Sequence, residues 1–253
     1  MELNTILITQ ARMGSKRLPG KVLKKINDLT LLEIHLNRLK NCSSVSEIIV
    51  ATTTNNDDSI IFNECIKWGV TAFRGSEFDV LDRFYQSIKH KSPNWIVRVT
   101  SDCPLIDPNL VDNVIELAIK SNKDYCSNTL IENYPDGQDV EVFKYSALKK
   151  AWENAILKSE REHVTPYIIK NSDFKSGRLF SAINYSCKTN YSNIRMTVDE
   201  ISDFKLIKIL INKLGIDENW EEYANYIIKN NLTKINGGIT RNEGYLISLK
   251  KDL

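Results

Sequence analysis

Short apolar runs rich in β-branched residues alternate with segments of helical spacing through the N-terminal part of the chain. This spacing predicts strands over residues 5–9, 47–52, 70–73 and 95–100, and helices over residues 31–39, 57–68 and 79–88. Strands that are apolar along their whole length are typical of a parallel sheet that helices cover on both faces. We therefore predict an α/β fold in which ligands bind beyond the carboxyl ends of the strands.

The second half of the chain has a less regular pattern. Helical spacing recurs over residues 108–121, 147–157, 159–170 and 204–214, and a turn-rich segment, residues 134–142, leads into a further strand. The tail has a helical pattern of its own over residues 220–229, followed by three glycines. We predict one domain of residues 1–215 and a small C-terminal appendage of residues 216–253. The appendage could close the pocket for an acceptor substrate, contact a second subunit or form a surface strap over the core.

Charge and apolar content exclude several classes of partner. The 34 basic and 32 acidic residues leave a net charge of +2, which argues against nucleic acid or an anionic membrane as partner. No apolar run is long enough to span a membrane, and the N-terminus lacks the features of a signal peptide. The five cysteines are scattered without a C-x-x-C pair, which indicates reduced thiols rather than disulfides or zinc. We expect a cytoplasmic protein.

The loop after the first strand concentrates positive charge. Its sequence, QARMGSKRLPGK, contains the cations Arg12, Lys16, Arg17 and Lys21. Gly14 lets the backbone approach a ligand closely, Ser15 can donate a hydrogen bond, and successive N–H groups can bind phosphate oxygens. The glycine spacing differs from both the P-loop and the dinucleotide fingerprint. We interpret the loop as a triphosphate site, with a solvated basic loop as the alternative.

A single aspartate follows the fourth predicted strand. Asp102 stands two residues beyond Thr100, where a parallel sheet presents its ligand-binding edge. Magnesium prefers hard oxygen ligands and keeps several waters, so one such carboxylate can anchor a magnesium–triphosphate complex. The alternative for Asp102 is a turn or helix-capping role.

Seven motifs spread along the chain carry a family resemblance. In order they are QARMGSKRLPGK, VATTTN, FRGSEFDVLDRF, VRVTSDCPLIDP, YPDGQDVEVF, SEREHVTPYI and RMTVDEISDF, and they cover about residues 5–215. Together they resemble the cytidylyltransferases that activate sugar acids. The spore-coat polysaccharide cytidylyltransferase-like proteins resemble the chain most, and the synthetases of CMP-sialic acid and CMP-3-deoxy-manno-octulosonate resemble it less.

The resemblance implies a fold, a reaction and a cofactor. The expected fold is Rossmann-like, of the nucleotide-diphospho-sugar transferase type. The expected reaction transfers CMP from CTP to a nonulosonic or ulosonic sugar acid and releases pyrophosphate, for surface glycan biosynthesis. Asp102 and Asp199 would hold Mg²⁺, and Arg12 and Lys21 would stabilise charge on the phosphates. The alternative for this region is that Asp199 or Ser202 caps the following helix. Glu200 replaces the threonine that the family usually has after the second aspartate. Related enzymes are often homodimers.

Two groups of substrate contacts are predicted from the loop and the resemblance. The CTP contacts are Gln10, Ala11, Arg12, Gly14, Ser15, Lys16, Arg17, Lys21, Arg74 and Ser101. The acceptor contacts are Asp136, Gln138, Glu141, Arg161, His163 and Arg195. A structural hydrogen bond is an equal alternative for His163, and a buried salt bridge is one for Arg98.

Three other functions remain open at this stage. A nucleotidyltransferase with another base or a phosphorylated acceptor would have the same loop. A glycosyltransferase would need a D-x-D-like metal motif, and Asp102-Cys103-Pro104 lacks the second aspartate. A non-catalytic nucleotide-binding module would not need both Asp102 and Asp199.

Overall fold

The computed structural model describes residues 4–252, and nine strands lie within them. In chain order these are Thr5–Gln10 (β1), Lys25–Ile26 (β2), Leu29–Thr30 (β3), Glu47–Thr53 (β4), Thr71–Gly75 (β5), Trp95–Thr100 (β6), Tyr125–Ser127 (β7), Glu141–Lys144 (β8) and Ala182–Asn184 (β9). Strands β2 and β3 form a small antiparallel pair, and the other seven form one sheet.

Ten α-helices surround this sheet within the same residues. They are Leu31–Leu39 (α1), Ser59–Lys67 (α2), Val80–Ile88 (α3), Pro108–Ser121 (α4), Tyr145–Asn154 (α5), Lys158–His163 (α6), Pro166–Lys170 (α7), Ile201–Leu214 (α8), Trp220–Lys229 (α9) and Glu243–Leu249 (α10). Across the described chain, none of them has the length and apolar content that a membrane span requires.

The strand order in the large sheet is β5-β4-β1-β6-β8-β7-β9. Strands β5, β4, β1 and β6 are parallel, β8 is antiparallel to both β6 and β7, and β9 is parallel to β7. The predicted mostly parallel α/β fold is confirmed. The carboxyl ends of β1, β4 and β6 therefore meet at one edge of the sheet, where the loop that starts at Gln10 and the turn after Thr100 lie side by side.

Both faces of the sheet are covered. On β1, Leu7 packs into a cluster with α4, α8 and α9, whereas its neighbours Ile6 and Ile8 pack into a second cluster with α3 and α5. All three side chains are at most 1% exposed. Each such burial contributes about 1.5–3 kcal/mol, which explains why the strands are apolar on both faces.

The helix predicted over residues 159–170 is wrong as a single element. It divides into α6 and α7 at Val164, which has a φ of 73°. Pro166 marks the break, because it lacks the N–H that a continuing helix needs and stands at the first position of α7, where that N–H is not required. As a result α6 ends at His163 and presents that side chain at the end of a helix rather than within one.

The C-terminal residues pack against the sheet domain. Arg38 of α1 donates to the carbonyl oxygens of Ile216 and, at 2.9 Å, Glu218. The backbone N–H of Trp220 donates to Asp107 at 2.9 Å, and α10 packs on α6. The division into residues 1–215 and 216–253 stays a prediction, but the tail contributes directly to the surroundings of the site.

Candidate active site

A cavity of about 870 Å³ opens at the carboxyl ends of β1 and β6. Gln10 and Thr100 end these strands and form its floor, together with Asp102 and Asp199. Residues of α6, α7 and α10 form the opposite wall. The cavity therefore lies where the sheet topology predicts a ligand site.

Backbone hydrogen bonds fix the shape of the cationic loop. The N–H of Met13 donates to Asp58 at 2.6 Å, and Asp58 also accepts from the hydroxyl of Thr53 at the end of β4. The N–H of Gly20 donates to the carbonyl of Met13 at 2.9 Å, and Gly20 has a φ of 64° that favours glycine. These bonds set the direction in which the chain enters Lys21. The role of Asp58 is invisible in the sequence pattern.

Lys21 lies at the centre of the site. Its Nζ donates to Asp102 Oδ2 at 2.9 Å, to Asp199 Oδ1 at 2.9 Å and to the carbonyl oxygen of Val198 at 2.8 Å. Burial alone would lower the pKa of Lys21, but the two carboxylates raise it above its usual value. Burial likewise opposes ionisation of Asp102, and Lys21 nevertheless holds the pKa of that carboxyl far below its usual range. Lys21 and Asp102 are therefore both charged at neutral pH.

Three cations converge on Asp199. Besides Lys21, Arg17 contacts Oδ1 at 3.0 Å, and Arg195 donates to Oδ2 at 2.8 Å. Asp102, in contrast, accepts from one cation, Lys21, within residues 4–252. Arg17 lines the cavity and links the loop to this carboxylate. The structure thus brings Arg17, Lys21, Asp102 and Asp199 together, as the sequence predicted for the loop and for the two aspartates separately.

Arg195 is the buried base of this charge cluster. Its guanidinium is 7% exposed and contacts Asp136, Asp199 and Asp203, the last at 2.9 Å through Nε. Burial would lower the pKa of Arg195, but hydrogen bonding to Asp203 and the neighbouring carboxylates raise it. Asp203, which the sequence analysis did not select, also accepts from the backbone N–H of Asp199 at 2.9 Å. It therefore holds the backbone of Asp199 directly and its side chain through Arg195.

Asp102 and Asp199 are suited to a magnesium ion. Residues 4–252 contain no group of three or more His, Cys, Asp or Glu side chains placed to hold a metal. A metal here would therefore have Asp102 and Asp199 as its protein ligands. Magnesium is commonly held by one or two carboxylates together with waters and substrate phosphates. Moreover, both carboxylates already converge on one cation, the ammonium of Lys21. The donor set and its geometry fit the expected cofactor.

The wall beyond Asp102 is polar and largely paired. Arg98, in the middle of β6, forms a salt bridge with Glu141 of β8. Glu141 also accepts from Tyr125 at 2.6 Å and from Thr165 at 2.5 Å, and it is 6% exposed. Arg98 therefore has the buried salt bridge that the sequence analysis held open. Both residues line the cavity, but the Glu141 oxygens are engaged by protein groups.

His163 lies on the same wall. Its Nε2 is 3.0 Å from the hydroxyl of Ser248, and its ring packs edge-on against Tyr245 with 5.1 Å between centroids. Burial, and then the charge of Arg98, lower the pKa of His163 to about 4. The imidazole is therefore uncharged at neutral pH. The structural hydrogen bond that was the alternative for His163 is therefore present, and the His163 side chain also lines the cavity.

Arg74, Gln138 and Arg161, three of the predicted contact residues that do not line the cavity, are engaged by protein groups. Arg161 donates through its fork to Asp79, the N-cap of α3, at 2.6–3.0 Å. Gln138 is completely buried and accepts from the N–H of Asp107 at 2.9 Å. Arg74 donates to two backbone carbonyl oxygens near the end of β4. These contacts give the three side chains structural roles, and their contacts with acceptor or CTP stay predictions.

The remaining loop residues divide into exposed and packed positions. Arg12, Gly14 and Lys16 are exposed. Ala11 is buried, and the hydroxyl of Ser101 donates to the carbonyl oxygen of Gln10. Ser15 accepts from the N–H of Leu18 at 3.4 Å.

The family model described as cytidylyltransferase matches residues 6–231, which is most of the chain. The chain belongs to the cytidylyltransferase family. This cytidylyltransferase is accordingly a nucleotidyltransferase enzyme. The family resemblance carried by the seven motifs is thereby confirmed.

Several relatives show how far the similarity extends. An uncharacterized protein of Methanocaldococcus jannaschii is 46% identical over 204 residues, which cover 81% of this chain and 82% of the relative. The spore coat polysaccharide biosynthesis protein SpsF of Bacillus subtilis is 36% identical over 219 residues, covering 84% and 89%. A solved cytidylyltransferase structure from Leptospira borgpetersenii has a TM-score of 0.84 at 30% identity, covering 93% of this chain and 98% of that one.

This cytidylyltransferase also has a buried histidine behind the site, which the sequence did not identify as a candidate residue. His35 of α1 is completely buried. Its Nδ1 lies 2.9 Å from the carbonyl oxygen of Cys103, next to Asp102, and its Nε2 lies 3.0 Å from the hydroxyl of Thr9. A carbonyl oxygen only accepts, so Nδ1 carries the proton and Nε2 accepts from Thr9. His35 therefore holds the turn after β6 against β1.

Acid is expected to destabilise the protein through His35. Burial lowers its pKa to about 4, whereas an unfolded histidine has a pKa of about 6.5. The unfolded state therefore binds a proton first, and stability present above pH 6.5 is lost as the pH falls towards 4. We expect His35 to contribute a loss of about 2 kcal/mol between pH 7.5 and pH 5.

Denaturant unfolding at a series of pH values checks this prediction. His35→Gln should flatten the dependence of unfolding free energy on pH over this range, whatever its effect at pH 7.5. His90→Gln, at an exposed position, is the matched control and should keep the wild-type slope. Equal slopes in wild type and His35→Gln would show that His35 does not stay neutral in the fold.

Proposed function

We propose that this cytidylyltransferase transfers CMP from CTP to a sugar acid of the nonulosonic or ulosonic type, releasing pyrophosphate, for the synthesis of a surface glycan. The observation that carries the proposal is the meeting of Lys21, Asp102 and Asp199 at the floor of a cavity large enough for two substrates. We further expect the enzyme to be a cytoplasmic homodimer.

The loop and the aspartates account for the CTP side. We propose that Asp102 and Asp199 hold Mg²⁺, which when bound neutralises phosphate oxygens and orients them. Arg17 and Lys21 supply fixed positive charge where negative charge grows on the phosphates. Exposed Arg12 and Lys16 can attract the triphosphate without first breaking a buried contact.

The transfer needs positioning rather than a covalent intermediate. An acceptor hydroxyl oxygen attacks the α-phosphorus of CTP, the bond from that phosphorus to the bridging oxygen breaks, and pyrophosphate leaves with the electron pair. The acceptor loses its hydroxyl proton to solvent or to a base in the cavity. Arg195 keeps Asp199 in place through the contact at 2.8 Å, so the phosphate site stays aligned during the reaction.

Two observations favour a sugar acid as acceptor. Arg98 lines the cavity and its side chain keeps 13% exposure beside its salt bridge with Glu141, so its guanidinium could also pair with a carboxylate of the acceptor. In addition, a 3-deoxy-manno-octulosonate cytidylyltransferase of Fusobacterium nucleatum is 27% identical over 245 residues, covering 89% of this chain and 97% of that protein.

Pyrophosphate release tests the proposal. The enzyme is mixed with Mg²⁺, with each of CTP, UTP, GTP and ATP, and with a panel of sugar acids and sugar phosphates. We expect release with CTP and at least one sugar acid. Release with CTP and only a sugar phosphate would move the acceptor to another class, and release with another nucleotide would change the base.

Weakening the contact between Arg17 and Glu243 is expected to favour CTP binding. Arg17 Nη1 donates to Glu243 Oε2 at 2.7 Å, and both side chains are partly exposed. The triphosphate must compete with this carboxylate for Arg17, and an exposed salt bridge is worth about 0.2–1 kcal/mol. Glu243→Gln should therefore lower the KM for CTP about two- to fivefold.

Initial-rate kinetics in CTP check this result. Glu221→Gln, an exposed carboxylate on α9, is the control for the loss of one negative charge and should leave the KM unchanged. A KM that rises in Glu243→Gln would mean that Glu243 helps to bind the nucleotide instead of competing with it.

A further inference from the structure

The segment of residues 236–252, here called the C-terminal strap, forms one wall of the active-site cavity. The family match ends at residue 231, so the strap lies beyond it. Five of its residues line the cavity, namely Asn242, Glu243, Gly244, Tyr245 and Leu249. Tyr245 and Leu249 lie four residues apart on α10 and so share one face, which lines the cavity together with Asn242, the residue before the helix.

The strap is joined to the loop and to both sides of the cavity. Arg241 donates to Asp139 at 2.6 Å, and Asn242 donates to Glu132 at 3.0 Å. Asn236 donates to Asp203 at 2.8 Å, behind the buried guanidinium of the charge cluster. With the salt bridge from Glu243 to the loop, the strap contacts the metal-ligand side and the acceptor side together.

The strap also fixes the acceptor-side histidine. The hydroxyl of Ser248 donates to Glu162 Oε2 at 2.7 Å, and a hydroxyl has one proton to give. His163 Nε2 therefore carries a proton and donates it to the Ser248 hydroxyl oxygen, 3.0 Å away. The other ring nitrogen, Nδ1, then has the lone pair. Because the low pKa keeps the ring neutral, His163 offers an acceptor nitrogen. Ser248 is buried, so this arrangement is held by packing as well.

We propose that the C-terminal strap selects the acceptor: Tyr245 contacts the acceptor directly, and Ser248 positions His163 towards it. This inference rests on one part of the proposed function, namely that a second substrate binds in this cavity beside the nucleotide. Beside Glu243, which pairs with Arg17, the strap presents the phenol of Tyr245, the amide of Asn242 and Leu249 to the cavity. His163 beside them is neutral, so this wall suits the hydroxyl-bearing, uncharged part of an acceptor. The charged end belongs to the Arg98 side.

Steady-state kinetics with Tyr245→Ala tests the proposal. The acceptor is whichever compound the wild type uses in the pyrophosphate-release panel, so the test does not depend on its being a sugar acid. We expect the KM for the acceptor to rise about tenfold, while the KM for CTP stays within twofold. Ser248→Ala should lower kcat for the acceptor reaction several-fold, and Ser248→Thr, which keeps the hydroxyl, should restore much of it.

Ile247→Ala is the matched control. Ile247 lies on the same helix, is 48% exposed and does not line the cavity, so its truncation should leave both KM values unchanged. Thermal unfolding of all variants shows whether α10 stays folded. The proposal is overturned if Tyr245→Ala alters both KM values equally, or alters neither. A wild type that accepts only a sugar phosphate would overturn the sugar-acid assignment and leave the strap test in force.

Discussion

Asp102→Asn is expected to lower the kcat of pyrophosphate release by about 10²- to 10³-fold, the effect of about 3–4 kcal/mol that one preorganised electrostatic group commonly has. The substitution keeps the shape of the side chain and removes its charge. Lys21 retains Asp199 and the Val198 carbonyl as partners, so the floor of the cavity should stay folded. The loss is therefore expected in catalysis and metal binding rather than in stability.

A magnesium titration separates the two roles of Asp102. If Asp102 is a metal ligand, the Mg²⁺ concentration for half-maximal activity should rise at least about tenfold in Asp102→Asn. If it only orients Lys21, kcat should fall with no change in that concentration. Asp57→Asn, at an exposed position, is the control and should match the wild type in both measurements. Activity of Asp102→Asn within tenfold of wild type would remove Asp102 from the site.

Local pattern was sufficient to predict the fold and the floor of the site. Continuous apolar strands fix a parallel sheet covered on both faces, and the topology rule then places every strand-end residue at one edge. Asp102 and the cationic loop each follow such a strand, so their meeting follows from local signals. The position of Asp199 was available from the family resemblance, and the structure brings it to within hydrogen-bond reach of Lys21.

Pairings between distant residues could not be predicted in the same way. Arg161 and Asp79 belong to two of the seven motifs, and the sequence offered Arg161 as a free cation. In the structure they are partners across 82 positions, and the fork of Arg161 is engaged. A side chain's chemistry indicates what it can bind, whereas the tertiary fold decides whether it is free to do so.

Short elements were missed for a related reason. Strands β7 and β9 have three residues each, too few to show a period, and they exist because β8 and its neighbours supply partners. The break at Val164 did have a signal in Pro166, which the helical spacing on either side concealed. The C-terminal strap has no periodic pattern before α10, so its place in the cavity wall follows only from its side-chain contacts.

The buried charge cluster around Arg195 shows how such contacts support the site. One guanidinium faces three carboxylates, those of Asp136, Asp199 and Asp203. Burial, the first cause, raises the pKa of Asp136, although Arg195 opposes the shift. For Asp203, Arg195 and the backbone bonds outweigh burial and lower the pKa. Arg195 is therefore the cation that these three carboxylates share.

Arg195→Met is expected to destabilise the fold by about 3–5 kcal/mol at pH 8, because it leaves buried carboxylates without a counter-charge. The melting temperature should fall by about 10 °C. The orphaned carboxyls of Asp136 and Asp203 should take up protons in the folded state at a higher pH than in the unfolded chain. Proton uptake on folding makes stability fall as the pH rises, so the deficit relative to wild type should be smaller at pH 5 than at pH 8.

Denaturant unfolding at pH 5 and pH 8 measures both effects. Arg195→Lys keeps the charge and loses the fork, so its deficit at pH 8 should lie between those of wild type and Arg195→Met. Arg178→Met removes an exposed arginine and should cost less than about 0.5 kcal/mol. A deficit below about 1 kcal/mol in Arg195→Met, or one independent of pH, would mean that water rather than Arg195 compensates these carboxylates. In that case the alignment of Asp199 would have to come from Lys21 and Arg17 alone.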